Sequence, residues 1–192
     1  MQILKDKIIK EGRVLPGNVL KVDSFLNHQL DMALFCAMGR QLASLFSNAG
    51  VTKILTVEAS GIGLACMVSQ YLGFVPVVFG KKHKALNRDA NVYSTPIFSF
   101  THNTQYQVTV ARRFLSGEDR VLIVDDFLAN GEALRGSIDL LSQAGAELVG
   151  VGIAVEKGFQ GGGDRLRGMG IDVQSLAIVE SLEGGVIRFR EE

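Results

Sequence analysis

Residues 121–136, VLIVDDFLANGEALRG, constrain the fold of this chain more than any other stretch. Val121, Leu122, Ile123 and Val124 form an unbroken apolar run with β-branched members, the pattern of a parallel strand buried on both faces. Two carboxylates, Asp125 and Asp126, follow at once, and then the small-residue turn Ala129-Asn130-Gly131. From Glu132 a helical pattern takes over through Ala133, Leu134, Ile138 and Leu141, and Gly145 predicts its end. A strand that passes through a glycine turn into a helix aims free backbone N–H groups at one point. The helix dipole makes that point attractive to a phosphate. Gly131 lets the backbone come close and take a positive φ.

Paired acids beside a phosphate cradle would repel the phosphate, so they need another partner. They make sense as acceptors for a sugar diol, with a divalent cation nearby to offset charge. A phosphate site next to a diol site describes a ribose 5-phosphate. The plainer reading of the same residues is an ordinary βα turn with a capped helix. Two rivals fail directly. A P-loop needs a lysine after its last glycine, and a Rossmann turn needs three spaced glycines.

With 192 residues, 47% of them hydrophobic, and 22 glycines, the chain predicts one α/β domain with many tight turns. Twenty basic residues balance twenty acidic ones, so no electrostatic footprint for nucleic acid or membrane is present. Cys36 and Cys66 both fall in apolar helical patterns and read as buried reduced thiols, which fits a cytoplasmic protein. Charges among the first residues leave no visible signal peptide, and they interrupt every apolar run before a membrane-spanning length. His28, His83 and His102 are scattered without metal-ligand spacing.

Elsewhere, Ile3, Leu4, Ile8 and Ile9 predict a helix at the N-terminus, and residues 31–50 predict the clearest helix of the chain. Lys53 to Val57 reads as a strand, followed by Glu58, Ala59, Ser60 and Gly61 and then a helix. The Gly61-x-Gly63 pair lacks the third small residue of a dinucleotide fingerprint, because Cys66 occupies its place. A second anion-binding turn at a helix N-terminus is the better reading. Pro76 to Phe79 predicts a strand that gives way to a basic run, Lys81, Lys82 and Lys84, at the end where α/β sheets bind ligands. A solvated face is the plainer account of such a run. Residues 85–113 alternate in β-rich segments and predict an antiparallel hairpin over the site. Residues 147–155 and two later segments predict further strands.

The central stretch resembles the phosphoribosyl-pyrophosphate (PRPP) motif of type I phosphoribosyltransferases, and DDFLANGEA is similar to the bacterial xanthine phosphoribosyltransferases. The resemblance covers essentially the whole chain. It implies a twisted, mainly parallel sheet flanked by helices, with hood elements near 14–30 and 156–192 and a mobile flap near 81–113. It implies a purine salvage enzyme making xanthosine 5′-monophosphate and pyrophosphate from xanthine and PRPP. Asp125 and Asp126 would hold the ribose hydroxyls, and Ala129, Asn130, Gly131, Glu132 and Ala133 the 5-phosphate. Glu58, Ala59, Ser60, Gly61, Lys81, Lys82 and Lys84 would face the pyrophosphate. Leu20, Asn27, Lys157 and Phe159 match positions that meet the purine. Mg²⁺ would arrive on the pyrophosphate rather than on a dedicated protein site, and a homodimer is implied. Transfer to guanine, hypoxanthine or another base stays open. So does a PRPP-sensing regulator, although such repressors add a DNA-binding domain where roughly thirty residues precede the first clear helix here. Glu132 is an oddity of the phosphate turn. Its carboxylate suits the helix dipole only if it points away from the phosphate.

Overall fold

A computed structural model describes residues 1–83, 90–99 and 104–191. Helix α1 (Gln2–Glu11) opens the chain, and it buries Leu4 and Ile8 while Ile3 and Ile9 stay exposed. The expected four-residue stripe is therefore two residues wide. Strands β1 (Arg13–Leu15) and β2 (Val19–Lys21) form a separate antiparallel hairpin. Its turn places Gly17 and Asn18 at positive φ. A single π-helical turn, Asp23–Asn27, leads to α2 (Met32–Leu45), which Asp31 caps by accepting from the Leu34 N–H at 3.1 Å.

Next come β3 (Lys53–Val57), α3 (Gly61–Tyr71), β4 (Val77–His83), β5 (Val92–Ser99) and β6 (Thr104–Ala111). Then follow β7 (Arg120–Leu128), α4 (Glu132–Ala144), β8 (Glu147–Lys157), α5 (Gly162–Gly168), β9 (Val173–Ser181) and β10 (Arg188–Phe189). The main sheet has the order β10-β9-β8-β7-β3-β4-β6-β5. Its centre, from β9 to β4, is parallel, and both margins are antiparallel.

The apolar run of β7 explains the layering. Leu122 and Val124 join one core with α1, α2 and α3, while Val121 and Ile123 join the other with α4 and α5. Alternating side chains thus face opposite cores, and no residue of the run can be polar.

Three expectations are revised. Strand β7 does not stop at Val124: it pairs with β8 as far as Leu128, so both acids lie within a strand. Strand β4 does not stop at Phe79. It changes partner, from parallel β3 at Gly80 to antiparallel β6 at Lys81, and carries Lys81 and Lys82 inside the strand. The cysteines are not buried: Cys66 is exposed and Cys36 half-buried, both as free thiols. The reason is rotational, since α3 buries Leu64, Ala65 and Val68, and Cys66 falls off that stripe. The antiparallel hairpin is present as expected in β5 and β6. Its described part is anchored, with Tyr93, Thr95, Ile97, Val108 and Val110 buried. Among the described residues, no helix is long and apolar enough to cross a membrane.

Candidate active site

Strand β3 pairs with β7 only up to Ile123. Beyond it the β3 side of β7 is open, and Asp125 and Asp126 meet the turn that follows β3 instead. The Ser60 hydroxyl donates to Asp126 Oδ1 at 2.9 Å. Asp125 Oδ1 accepts from the Asp126 N–H at 2.9 Å and lies against the first residue of α3. A Cβ on Gly61 would stand 2.7 Å from that oxygen and 2.3 Å from Thr56 Oγ1, so only glycine fits there. Thr56 Oγ1 is itself buried and has no hydrogen-bond partner among the described residues. The two turns singled out in the sequence therefore converge, through their acids and their helix start, on one place.

Burial and crowding both act on Asp125. Burial first, and then the Asp126 carboxylate, raises Asp125 well above the ordinary carboxylate range. Lys82 opposes this through its charge. The Lys82 ammonium stands 5.4 Å from the centre of the Tyr106 ring, and its backbone N–H donates to Glu58 Oε1 at 2.6 Å. Tyr106 has its hydroxyl raised by burial and then by Asp125. Nothing in the sequence marked Tyr106. Its place follows from pairing opposite Ile97 in the β5–β6 ladder. The Glu58–Ala59 peptide bond is cis.

Below the acids, β7 runs into the turn at 129–131. Gly131 takes φ +85° as the N-cap of α4, as its sequence position required. Ala129, Asn130, Gly131, Glu132 and Ala133 line a cavity of about 230 Å³. Lys157 at the end of β8 and Ile97, Phe98 and Tyr106 of the hairpin also line it. Lys157 is half-buried, with its ammonium 5.4 Å from the Phe127 ring centre, and desolvation lowers its pKa. Glu132 lies in this wall, but its carboxylate accepts from Arg135 Nη1 at 3.1 Å.

The geometry gathers Asp125, Asp126, Ser60, Gly61, Glu58 and Lys82 on one side and the phosphate turn with Lys157 on the other. It does not gather every residue expected there. Lys81, next to Lys82 in a strand, faces away and lines a larger apolar groove of about 890 Å³ with Pro76, Phe79 and Phe114. Ala59 is exposed in its turn. Leu20 is buried in the core with Phe25 and Leu26, Asn27 is exposed, and Phe159 is 37% exposed. None of these three lines the cavity. Lys84 lies outside the described residues, as do 85–89 and 100–103 of the expected flap.

Comparison with known proteins agrees with this layout. A family model described as "Phosphoribosyl transferase domain" matches residues 29–165. A protein of Bifidobacterium longum named xanthine phosphoribosyltransferase is 57% identical, over 99% of this chain and 100% of its own length. One of the same name from Ruminiclostridium cellulolyticum is 52% identical over 100% of both chains. The crystal structure of a Giardia lamblia adenine phosphoribosyltransferase complexed with 9-deazaadenine superposes with a TM-score of 0.75. At 22% identity it covers 93% of this chain and 98% of that one, and it shares the fold. With its sheet, its convergent turns and its full-length relatives taken together, the chain belongs to the phosphoribosyltransferase family.

Proposed function

We propose that the protein is a xanthine phosphoribosyltransferase of purine salvage, converting xanthine and PRPP to xanthosine 5′-monophosphate and pyrophosphate. One observation carries the reading: a main-chain anion turn at 129–133 and the half-buried Lys157 share one cavity, with the acid pair adjoining. The names of relatives at 51–57% identity support it.

The reaction displaces pyrophosphate at the anomeric carbon by the purine N9, with inversion, through an oxocarbenium-like transition state. Little covalent chemistry falls to the protein, so positioning and electrostatics carry the rate. Main-chain N–H groups of the 129–133 turn hold the 5-phosphate. Asp125 and Asp126 accept from the ribose hydroxyls and set negative charge beside the sugar as it becomes cationic. Glu58, Ser60, Gly61 and Lys82 face the pyrophosphate. Lys81 and Lys84 stand in the same basic run of the sequence.

The acid pair also fits Mg²⁺. It offers hard carboxylate oxygens, and its crowding is relieved by a neighbouring cation. When bound, the ion would be held beside Asp125 and Asp126 and would supply positive charge to neutralise the leaving group. Lys157 donates and cannot accept, so it suits the carbonyl edge of a 6-oxopurine and leaves the amino edge of adenine mismatched. An unmatched buried donor costs about 1–3 kcal/mol, or roughly ten- to a hundredfold. Leu20, Asn27 and Phe159 reach the base only if the hood elements near 14–30 and 156–192 close over it. We read 1–192 as one catalytic domain, with a flap near 81–113, working as a cytoplasmic homodimer.

A base panel tests the reading: xanthine, guanine, hypoxanthine and adenine, each with PRPP and Mg²⁺, followed by pyrophosphate release. The expected result is the highest kcat/KM on xanthine and a value roughly ten- to a hundredfold lower on adenine. Preference for guanine or hypoxanthine would keep the reaction and change the substrate.

A further inference from the structure

The glycines at 161–163 and the short helix α5 take no part in the mechanism above, yet α5 lies directly against the phosphate turn. A Cβ on Gly162 would stand 2.1 Å from the carbonyl oxygen of Ala129, 2.8 Å from the carbonyl carbon of Asn130 and 2.9 Å from the nitrogen of Gly131. The contact is backbone on backbone, and no side chain fits between them. Three residues on, Arg165 reaches back across the same junction. Its Nη2 donates to the Asn130 carbonyl at 2.9 Å, while Nη1 donates to the Gln160 carbonyl at 3.4 Å.

Two successive carbonyls of the turn, those of Ala129 and Asn130, are thus turned toward α5. In a planar trans peptide the C=O and N–H bonds point in opposite directions. The N–H groups of Asn130 and Gly131, which share those peptide planes, must therefore point away from α5. Residues 129–133 line the cavity, and no residue of α5 does.

The helix is itself held from β8, β9 and the segment just past β10. Arg167 makes a two-point pair with the fully buried Glu156 of β8, at 2.9 and 2.7 Å, and donates through Nε to the Val173 carbonyl of β9 at 3.1 Å. Arg190, just past β10, binds Asp164 at 2.8 and 3.0 Å and Glu180 of β9 at 2.8 Å. A Cβ on Gly163 would stand 2.1 Å from Glu156 Oε1, so this seat also requires glycine.

We propose that α5 is a clamp that orients the peptide groups of the phosphate turn, with Arg165 as its positioning residue. The proposal rests on the assignment of 129–133 as the 5-phosphate site. Without Arg165 the Asn130–Gly131 peptide loses the partner that holds its carbonyl back, and its N–H is no longer pre-aimed at the ligand.

The test compares Arg165→Ala, Arg165→Lys and Gly131→Val with the unaltered protein, by calorimetric titration with ribose 5-phosphate and separately with inorganic pyrophosphate. Arg165→Ala should weaken ribose 5-phosphate binding about tenfold, the size of one charge-assisted hydrogen bond. Pyrophosphate binding and Tm should be unchanged. Arg165→Lys, still able to donate to one carbonyl, should recover part of the loss. Equal weakening of both ligands would mark a merely structural role and overturn the clamp. Unchanged ribose 5-phosphate binding in Arg165→Ala, with a large loss in Gly131→Val, would overturn the clamp and leave the phosphate site standing. No effect in either variant would remove the phosphate assignment and the clamp together.

Discussion

The ends of β7 and β4 lie near one another at the C-terminal edge of the parallel sheet, and both carry charge, but the chain leaves them differently. From β7 it turns through Gly131 into α4, so the residues of one short turn line the cavity, with Asp125 and Asp126 just before them on the strand. From the parallel part of β4 it continues as a strand against β6, so side chains alternate and adjacent lysines part company. Lys82 stands by Tyr106 and influences Asp125, while Lys81 lines the apolar groove. A turn concentrates a short stretch on one point, whereas a strand divides it between two faces. A run of like charges is therefore one site or half a site according to the backbone beneath it.

The largest effect that sharpens this contrast is expected at the base end. Lys157→Ala should lower kcat/KM for xanthine roughly ten- to a hundredfold, the cost of losing a buried donor to a carbonyl, while KM for PRPP changes little. An equal rise in the PRPP KM would move Lys157 out of its base-reading role. Next come the neighbouring lysines. Lys82→Ala should lower kcat/KM for PRPP about tenfold by removing a charge near the leaving group, against less than about twofold for Lys81→Ala. Similar losses in the two variants would break the strand-alternation account.

A stability difference follows from the acid pair. Asp125 is raised in the folded state, so its contribution is fully present below the ordinary carboxylate pKa and is lost as pH rises through the raised value. The ligand-free protein should therefore gain stability from Asp125→Asn near neutral pH. A gain of about 1 kcal/mol would lift Tm by roughly 2–4 °C in a chain of this size. The gain should shrink as the pH is lowered toward the carboxylate range. Asp119 and Asp164, both lowered in the folded state, act in the opposite sense and in a more acidic window, and they are common to both proteins. Thermal melts of the two proteins across pH, without ligand, measure the difference. A melt lowered by Asp125→Asn at neutral pH would contradict the crowding. The smallest effect belongs to Glu132, already paired with Arg135, where Glu132→Gln should change PRPP kinetics by less than about twofold. A large gain in PRPP affinity would show its carboxylate opposing the phosphate.

Sequence reading reached furthest where structure is local. The β7–turn–α4 unit, the helix α2 and the β5–β6 hairpin all follow from local spacing. It fell short where a distant strand decides. Whether β7 runs on through its acids depends on β8, and whether β4 runs on through its lysines depends on β6. The cysteines were misjudged because an apolar composition says little about which flank of a helix is buried. At the site, the phosphate turn and the acids were legible as a motif. Tyr106, Gly162 and Arg165 were not, because their importance lies in interactions with residues nineteen or more positions away.

The account stands or falls on where the sugar phosphate lies, and a crystal structure with xanthosine 5′-monophosphate measures that directly. The phosphoryl group should lie within hydrogen-bond reach of the main-chain N–H groups of 129–133, with the ribose hydroxyls on Asp125 and Asp126 and the base carbonyl at Lys157. A nucleotide whose phosphate lies away from that turn, whatever else it touches, would contradict it.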